Sequence, residues 1–345
     1  MALTRIGLDI GGTKTAGGLV QFPGADVLAR RVIPTCPHRE PHEVLEDTLK
    51  LAADLKSEAE SLGHVVEGIG AGVAELVDAD GAITSSACIP WRGTPLRQRL
   101  AEFAPAYVDA DVRAAALGEA QYGAGRGYDD FVFVTIGTGI SYSLVLSGQP
   151  YAGARGNALV LASGPTSHVC NHCGQHSTMV LEEFASGPAI ARRYAELTAR
   201  ASGFTRGGGA SAFAEASAGL VKGEDVTRAA RDEHPDAIEV VRSAGTAVGA
   251  ALGFLVNVLD PAAIVVGGGL GLAGGHYWES LVESTRAHIW ADGSRDLPIV
   301  TAALGSDAGI IGAAAIGGPK GPPYMRTRRS ADLPDFARGF VEVSP

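Results

Sequence analysis

A strand that runs into a glycine turn and resumes as a second strand occurs twice in this chain, and the repeat limits the folds open to it. At the start, Ile6, Leu8 and Ile10 alternate with Gly7 and Asp9, and Gly11-Gly12-Thr13-Lys14-Thr15 leads on to Ala16 to Val20. Alternation with period two marks a half-buried strand, and the glycine pair lets the backbone turn through conformations that a Cβ forbids. The same order returns at Phe131 to Ile136, Gly137-Thr138-Gly139 and Leu144-Val145-Leu146. Two related domains, each offering a glycine turn to a cleft between them, account for the repetition. Turn N–H groups can cradle phosphate oxygens, Asp9 can reach Mg²⁺ through water, and Thr13 and Lys14 can add donors. The plain alternative is a hairpin turn. A P-loop is excluded, because Gly12 is followed by Thr13 and not by lysine.

The 345 residues suit roughly two domains. With 28 basic and 38 acidic residues the net charge is −10, which argues against nucleic acid as a partner. No charged-then-apolar leader precedes the first strand. The most apolar stretch, Ala247 to Leu259, carries Asn257 and ends at Asp260-Pro261, short of the roughly 20 residues of a membrane span. It reads as a buried core helix, and no membrane partner is expected. Four cysteines make no disulfide framework at this length and fit a reducing, cytoplasmic compartment.

Between the turns, Val27 to Ile33 completes an antiparallel meander. Leu45, Leu49, Ala52, Leu55, Ala59 and Leu62 then keep the three- and four-residue spacing of an amphipathic helix over Pro41 to Leu62. Val65 to Val73 and Tyr107 to Ala110 read as strands, and Asp111 to Tyr122 as an alanine-rich helix. A boundary is expected at Gly123 to Asp130, giving a smaller α/β domain over 1–122, a larger one over 123–316 and a poorly ordered tail over 317–345. Gly164 to His176 reads as a loop and Leu181 to Arg200 as one helix. Gly203 to Gly209 reads as a glycine-rich loop, with helices at Ala210 to Val221 and Pro235 to Leu259.

Four stretches in fixed order make the chain resemble the ROK family of sugar kinases, in the actin and hexokinase superfamily. Asp9-Ile10-Gly11-Gly12-Thr13-Lys14 and Thr135-Ile136-Gly137-Thr138-Gly139 look like its two phosphate motifs. Ile264 to Gly269, ending in Gly267-Gly268-Gly269, resembles its adenosine motif, and Leu304 to Gly309 its closing segment. The resemblance covers about residues 5 to 315. It implies an α/β fold of the two-domain actin-like ATPase (ribonuclease H-like) type with a cleft between the domains, closing on ATP, Mg²⁺ and a polyol. A homodimer is the assembly left open. Asp109 to Glu119 resembles the stretch with the family's catalytic aspartate, so Asp111 is expected to accept the hydroxyl proton during phosphoryl transfer. An ordinary helix N-cap is its bland alternative.

The departures concern the acceptor. Cys88-Ile89-Pro90 stands where the family has Asn-Leu-Pro, Ala110 replaces an asparagine, and Val160 and Ser163 occupy the places of a hydroxyl-binding glutamate and a histidine. Each lost hydrogen bond is worth on the order of 1 kcal/mol. The pattern resembles the branch that phosphorylates C7-cyclitols such as 2-epi-5-epi-valiolone in aminocyclitol biosynthesis. Glucokinase, N-acyl hexosamine kinase and a non-catalytic nucleotide- or sugar-binding regulator remain the other readings. A helix-turn-helix repressor is disfavoured, because only eight residues precede Asp9. Cys170, Cys173, His172 and His176 could assemble a structural Zn²⁺, or form an empty loop. Gly269-x-Gly271-x-x-Gly274 satisfies a dinucleotide pattern, but the strand–helix series of that fold is not expected to follow.

Overall fold

The computed structural model describes residues 3–170, 172–201 and 221–318. The expected loop over 203–209, most of the helix over 210–221 and the tail beyond 318 lie outside the described residues. The elements are β1 (Leu3–Ile10), β2 (Lys14–Phe22), β3 (Asp26–Pro34), α1 (Pro41–Ser61), β4 (Val66–Val73), α2 (Leu96–Leu100), β5 (Ala106–Ala110), α3 (Asp111–Tyr122), β6 (Phe131–Ile136), β7 (Ile140–Leu146), β8 (Gln149–Pro150), β9 (Pro165–Val169), β10 (His176–Val180), α4 (Leu181–Ala185), α5 (Gly187–Ala201), α6 (Gly223–Arg231), α7 (Pro235–Leu259), β11 (Ala263–Gly267), α8 (Gly275–His288), β12 (Ile299–Thr301) and α9 (Ala308–Ile316).

Two of the sheets repeat one topology. The first runs β3-β2-β1-β4-β5 and the second β8-β7-β6-β11-β12. In each, three strands form an antiparallel meander and two more join in parallel. The duplicated strand-turn-strand pattern of the sequence is therefore a duplicated sheet.

The chain divides into two compact units, the first formed by the described residues of Met1–Asp111, Ala152–Asn157 and Ala313–Pro345, the second by Val112–Tyr151 and Ala158–Gly312. This partition differs from the expected boundaries at 122/123 and 316/317. Helix α3 passes to the second unit after its first residue, because Ala116 packs with Phe131, Phe133 and Val265, with Val112 and Ala115 against them. In the first unit, α1 lays Val44, Leu45, Leu49, Ala52 and Leu55 on Ile6, Leu8 and Leu19. In the second, the apolar face of α7 (Val240, Val241, Val248, Leu252) packs on Val134, Ile136 and Leu281, which makes it the core helix its composition suggests. At about 25 cal/mol per Å² of apolar surface, such burial dominates the stability of both units.

Two expectations change. Residues 165–180 form the hairpin β9–β10, tied across by Thr166 Oγ1 to the Met179 carbonyl at 3.1 Å, where a loop is expected over 164–176. The expected helix over 181–200 is interrupted at Ser186 (φ −72°, ψ 167°), since Pro188 has no N–H for the Phe184 carbonyl and the chain must restart.

Candidate active site

In the first unit, β1, β4 and β5 run parallel in a register that aligns Asp9 with Gly72 and Gly72 with Asp109, and likewise Ile10, Val73 and Ala110. The next residues, Gly11, Ala74 and Asp111, therefore leave the sheet at one edge, the carboxyl end of its parallel strands, where open α/β sheets bind ligands. The turn is fastened at its base. Gly11 N–H donates to the Lys14 carbonyl at 3.0 Å, Thr35 N–H to the Thr13 carbonyl at 3.1 Å, and Thr35 Oγ1 to the Gly11 carbonyl at 2.6 Å. Neither Gly11 nor Gly12 adopts a left-handed φ, so the expected conformational reason for this glycine pair does not hold. At Gly12 an added Cβ would merely touch Cys88, 3.5 Å from its Cβ. Thr13 and Lys14 are exposed.

Asp9 is partly exposed. Burial of its carboxyl raises its pKa above the ordinary value, against the smaller lowering effects of Lys14 and Arg30. Asp111 is the first residue of α3 and also partly exposed. It follows Asp109, fully buried, whose Oδ1 accepts the Ala110 N–H at 2.7 Å. Arg113 is buried. The stretch 152–157 belongs to this unit. Gly156 has φ +77°, and a Cβ there would lie 2.0 Å from the Val77 carbonyl oxygen, so this close approach of backbone to backbone requires glycine.

In the second unit, Gly137-Thr138-Gly139 links β6 to β7, with Gly137 N–H donating to Gly139 at 2.9 Å. Gly187 N–H closes on the Gly137 carbonyl at 2.8 Å, and Ile140 N–H on Glu182 Oε2 at 2.8 Å. Gly267 ends β11 opposite Thr135. Gly268 has φ +80° and would bring a Cβ within 2.4 Å of the Ile136 carbonyl oxygen. Leu270 and Gly271 N–H donate to that same oxygen at 2.9 and 3.2 Å. The structure thus brings the Gly137–Gly139 turn and the Gly267–Gly269 stretch together at one sheet edge. The run Gly269 to Gly274 does lead into α8, but its sheet continues into antiparallel β7 and β8, unlike a dinucleotide fold.

Three carboxylates escaped the reading of the sequence. Glu75, beyond β4, gathers residues 85–89. Glu119 is fully buried and accepts Ala124 and Ala303 N–H on Oε2 (2.7 and 3.0 Å) and Leu304 N–H on Oε1 (2.8 Å), tying α3 to the closing segment. Glu182 holds the turn at Ile140. An acid just past a strand or inside an otherwise apolar helix is the only local signal they give.

The acceptor departures are spread out. Cys88 is exposed beside Gly12, Ala110 is buried in β5, Val160 is 48% exposed, and Ser163 is exposed. In the hairpin, Cys170 N–H donates to the Gln175 carbonyl and Gly174 N–H to the Cys170 carbonyl, both at 2.9 Å. Backbone N–H groups of Cys173 and His172, and the Cys173 thiol, pull the Cys170 thiol below its usual pKa. Among the described residues no three histidine, cysteine or acidic side chains converge on one point. The strand register sets His176 opposite Val169 at the loop end of the ladder and His168 opposite Ser177 one step further along it. The described residues therefore do not fit a zinc site.

Two sheets of one topology, each with a glycine turn after its first strand, define a two-domain actin-like ATPase fold. Within it, the chain belongs to the ROK family, whose model matches residues 5–318. Similar proteins include a glucokinase of Streptomyces coelicolor, 31% identical over 91% of this chain and 97% of its own length, and a kanosamine kinase of Amycolatopsis mediterranei, 27% identical over 91% and 96%. The solved structure of a ROK family glucokinase from Streptomyces griseus, in complex with glucose and AMPPNP, superposes with a TM-score of 0.76 at 30% identity, covering 91% of this chain and 99% of that one.

Proposed function

We propose that the chain is an ATP-dependent kinase that phosphorylates the primary hydroxyl of a sugar-like polyol, with Asp111 as the base. The observation that carries this is the register of β1, β4 and β5, from whose aligned ends the Gly11–Lys14 turn and Asp111 both emerge. Relatives named as glucokinase and kanosamine kinase support the phosphotransfer class.

In this reading the turn at Gly11–Lys14 orients the terminal phosphates, and the Gly137–Gly139 and Gly267–Gly269 loops hold the rest of the nucleotide. The acceptor oxygen forms a bond to the γ-phosphorus as the bridging P–O bond breaks and ADP departs. The hydroxyl proton passes to Asp111, which suits a transition state in which that proton moves late. Asp9, the one acidic residue of β1 and two positions before the Gly11–Lys14 turn, would hold Mg²⁺ through its carboxylate. Mg²⁺ bound through Asp9 would neutralise phosphate charge.

Asp111→Asn tests the role of the base. We expect kcat to fall by about 10²–10⁴-fold, the usual contribution of a positioned base, while ATP still raises the melting temperature. Undiminished turnover would remove Asp111 from the mechanism.

For the acceptor we propose a C7-cyclitol of the 2-epi-5-epi-valiolone type, phosphorylated on its exocyclic hydroxymethyl oxygen. Cys88, Ala110, Val160 and Ser163 support it, since none of the four offers the amide, carboxylate or imidazole expected for a pyranose. The full-length likeness to a glucokinase favours glucose as the second reading.

A further inference from the structure

The mechanism above makes no use of Glu75, although its side chain is only 6% exposed. Its Oε1 accepts Cys88 N–H at 2.6 Å and Ile89 N–H at 2.7 Å, and its Oε2 accepts Ala87 N–H at 2.8 Å and the Ser85 hydroxyl. Three successive amides and a hydroxyl converge on one carboxylate, which is how a buried anion is compensated without a basic partner. Ser85 Oγ in turn accepts Leu76 N–H at 2.7 Å.

The position of this clamp gives it a consequence. Ala74 N–H donates to the Ile10 carbonyl at 2.9 Å, so Glu75 leaves the sheet beside the phosphate turn. On its far side the loop is anchored by Ile89 and Trp91, both fully buried, with Trp91 Nε1 donating to the Pro41 carbonyl at 3.0 Å. Within the clamped segment Cys88 is exposed and lies beside the turn, its Cβ and Sγ 3.5 and 3.9 Å from the point where a Cβ on Gly12 would stand. The amides of 87–89 face Glu75, so they are not donors for a phosphate.

We propose that Glu75 is a positioning residue for acceptor recognition: by fixing residues 85–89 it sets Cys88 against the Gly11–Lys14 turn and decides which polyol reaches Asp111. This rests on the kinase reading, and the test separates the two. Glu75→Gln keeps the shape but turns one oxygen into a donor facing N–H groups, so that half of the clamp is lost. Turnover is compared with the wild type at varied acceptor and varied ATP, using whichever of glucose, an N-acyl hexosamine or a C7-cyclitol the wild type phosphorylates. In parallel, iodoacetamide labelling of Cys88 is followed by peptide mass against Cys170 and Cys173 in the same sample.

The expected result is an acceptor KM raised at least tenfold, an ATP KM within twofold of the wild type, and a Cys88 labelling rate changed severalfold while the reference cysteines label as before. Glu75→Asp, which keeps the charge on a shorter arm, should fall between the two and serves if Glu75→Gln does not fold. Unchanged acceptor KM and Cys88 labelling, or equal losses for acceptor and ATP, would overturn the proposal. If the wild type phosphorylates no acceptor, the kinase reading falls and Cys88 labelling alone decides the role of Glu75.

Discussion

Burial works against the charge on Asp9, and Lys14 and Arg30 work for it with less effect. A carboxyl whose pKa is raised by folding gives stability that is complete below its unfolded pKa and is lost as pH rises through the folded one. Above its folded pKa, then, the ionised Asp9 costs the fold stability. Asp9→Asn should melt higher than the wild type near pH 7, with the gap closing as pH falls toward 4, and should lose turnover; thermal melts across that range check it. A variant less stable at pH 7 would mean that Lys14 and Arg30 outweigh burial. Val160 supplies a second test at this scale. Val160→Glu restores a hydrogen-bonding group of the kind that recognises substrate hydroxyls, so kcat/KM for glucose should rise relative to the cyclitol. No change in that ratio would remove Val160 from the acceptor site. The placement of Asp9 near the end of β1 and of Asp111 at the start of α3 was legible in the sequence, because each lies within a few residues of a turn or helix signal. Glu119 was not, since the amides it holds at Ala303 and Leu304 lie more than 180 positions away.

Helices and strands followed their local patterns wherever one face is buried. Helix α1 and strand β1 were legible from periodicity, β6 from the repeated strand–turn–strand pattern and α7 from its apolar composition. The β9–β10 hairpin was not, because its strands are largely exposed and mix histidine, serine and threonine, so that no apolar alternation marks them. Packing between helices is likewise absent from periodicity. Gly245, Gly249 and Gly253 form a stripe on α7 against α8, and a Cβ on Gly249 would lie 2.4 Å from the Leu281 carbonyl oxygen. Alanine is favoured over glycine in an isolated helix by up to about 1 kcal/mol. Here overpacking should reverse the sign, and Gly249→Ala is expected to destabilise the protein by about 1–3 kcal/mol. Denaturant unfolding measures this, and a midpoint at or above that of the wild type would contradict the close crossing.

At the scale of the molecule, one sheet topology has been used twice, and each copy keeps its glycine turn at the end of its first strand. The stretches that resemble the family's motifs stand in both units, whereas the departures from its pattern are Cys88, Ala110, Val160 and Ser163. That division was readable from the order of motifs, but the assignment of residues 152–157 to the first unit was not, because the chain returns there through a close contact at Gly156 and Val77 that no local pattern announces. The central claim is phosphoryl transfer from ATP to a primary hydroxyl of a polyol lacking the pyranose pattern. The most direct measurement is a side-by-side determination of kcat/KM with ATP and Mg²⁺ for a C7-cyclitol, glucose and an N-acyl hexosamine, with the product mass and the phosphorylated oxygen identified for each. The account predicts transfer to the exocyclic hydroxymethyl oxygen, with the cyclitol the best of the three. A higher kcat/KM for glucose or the hexosamine would contradict the choice of acceptor, and no transfer to any of them would contradict the kinase itself.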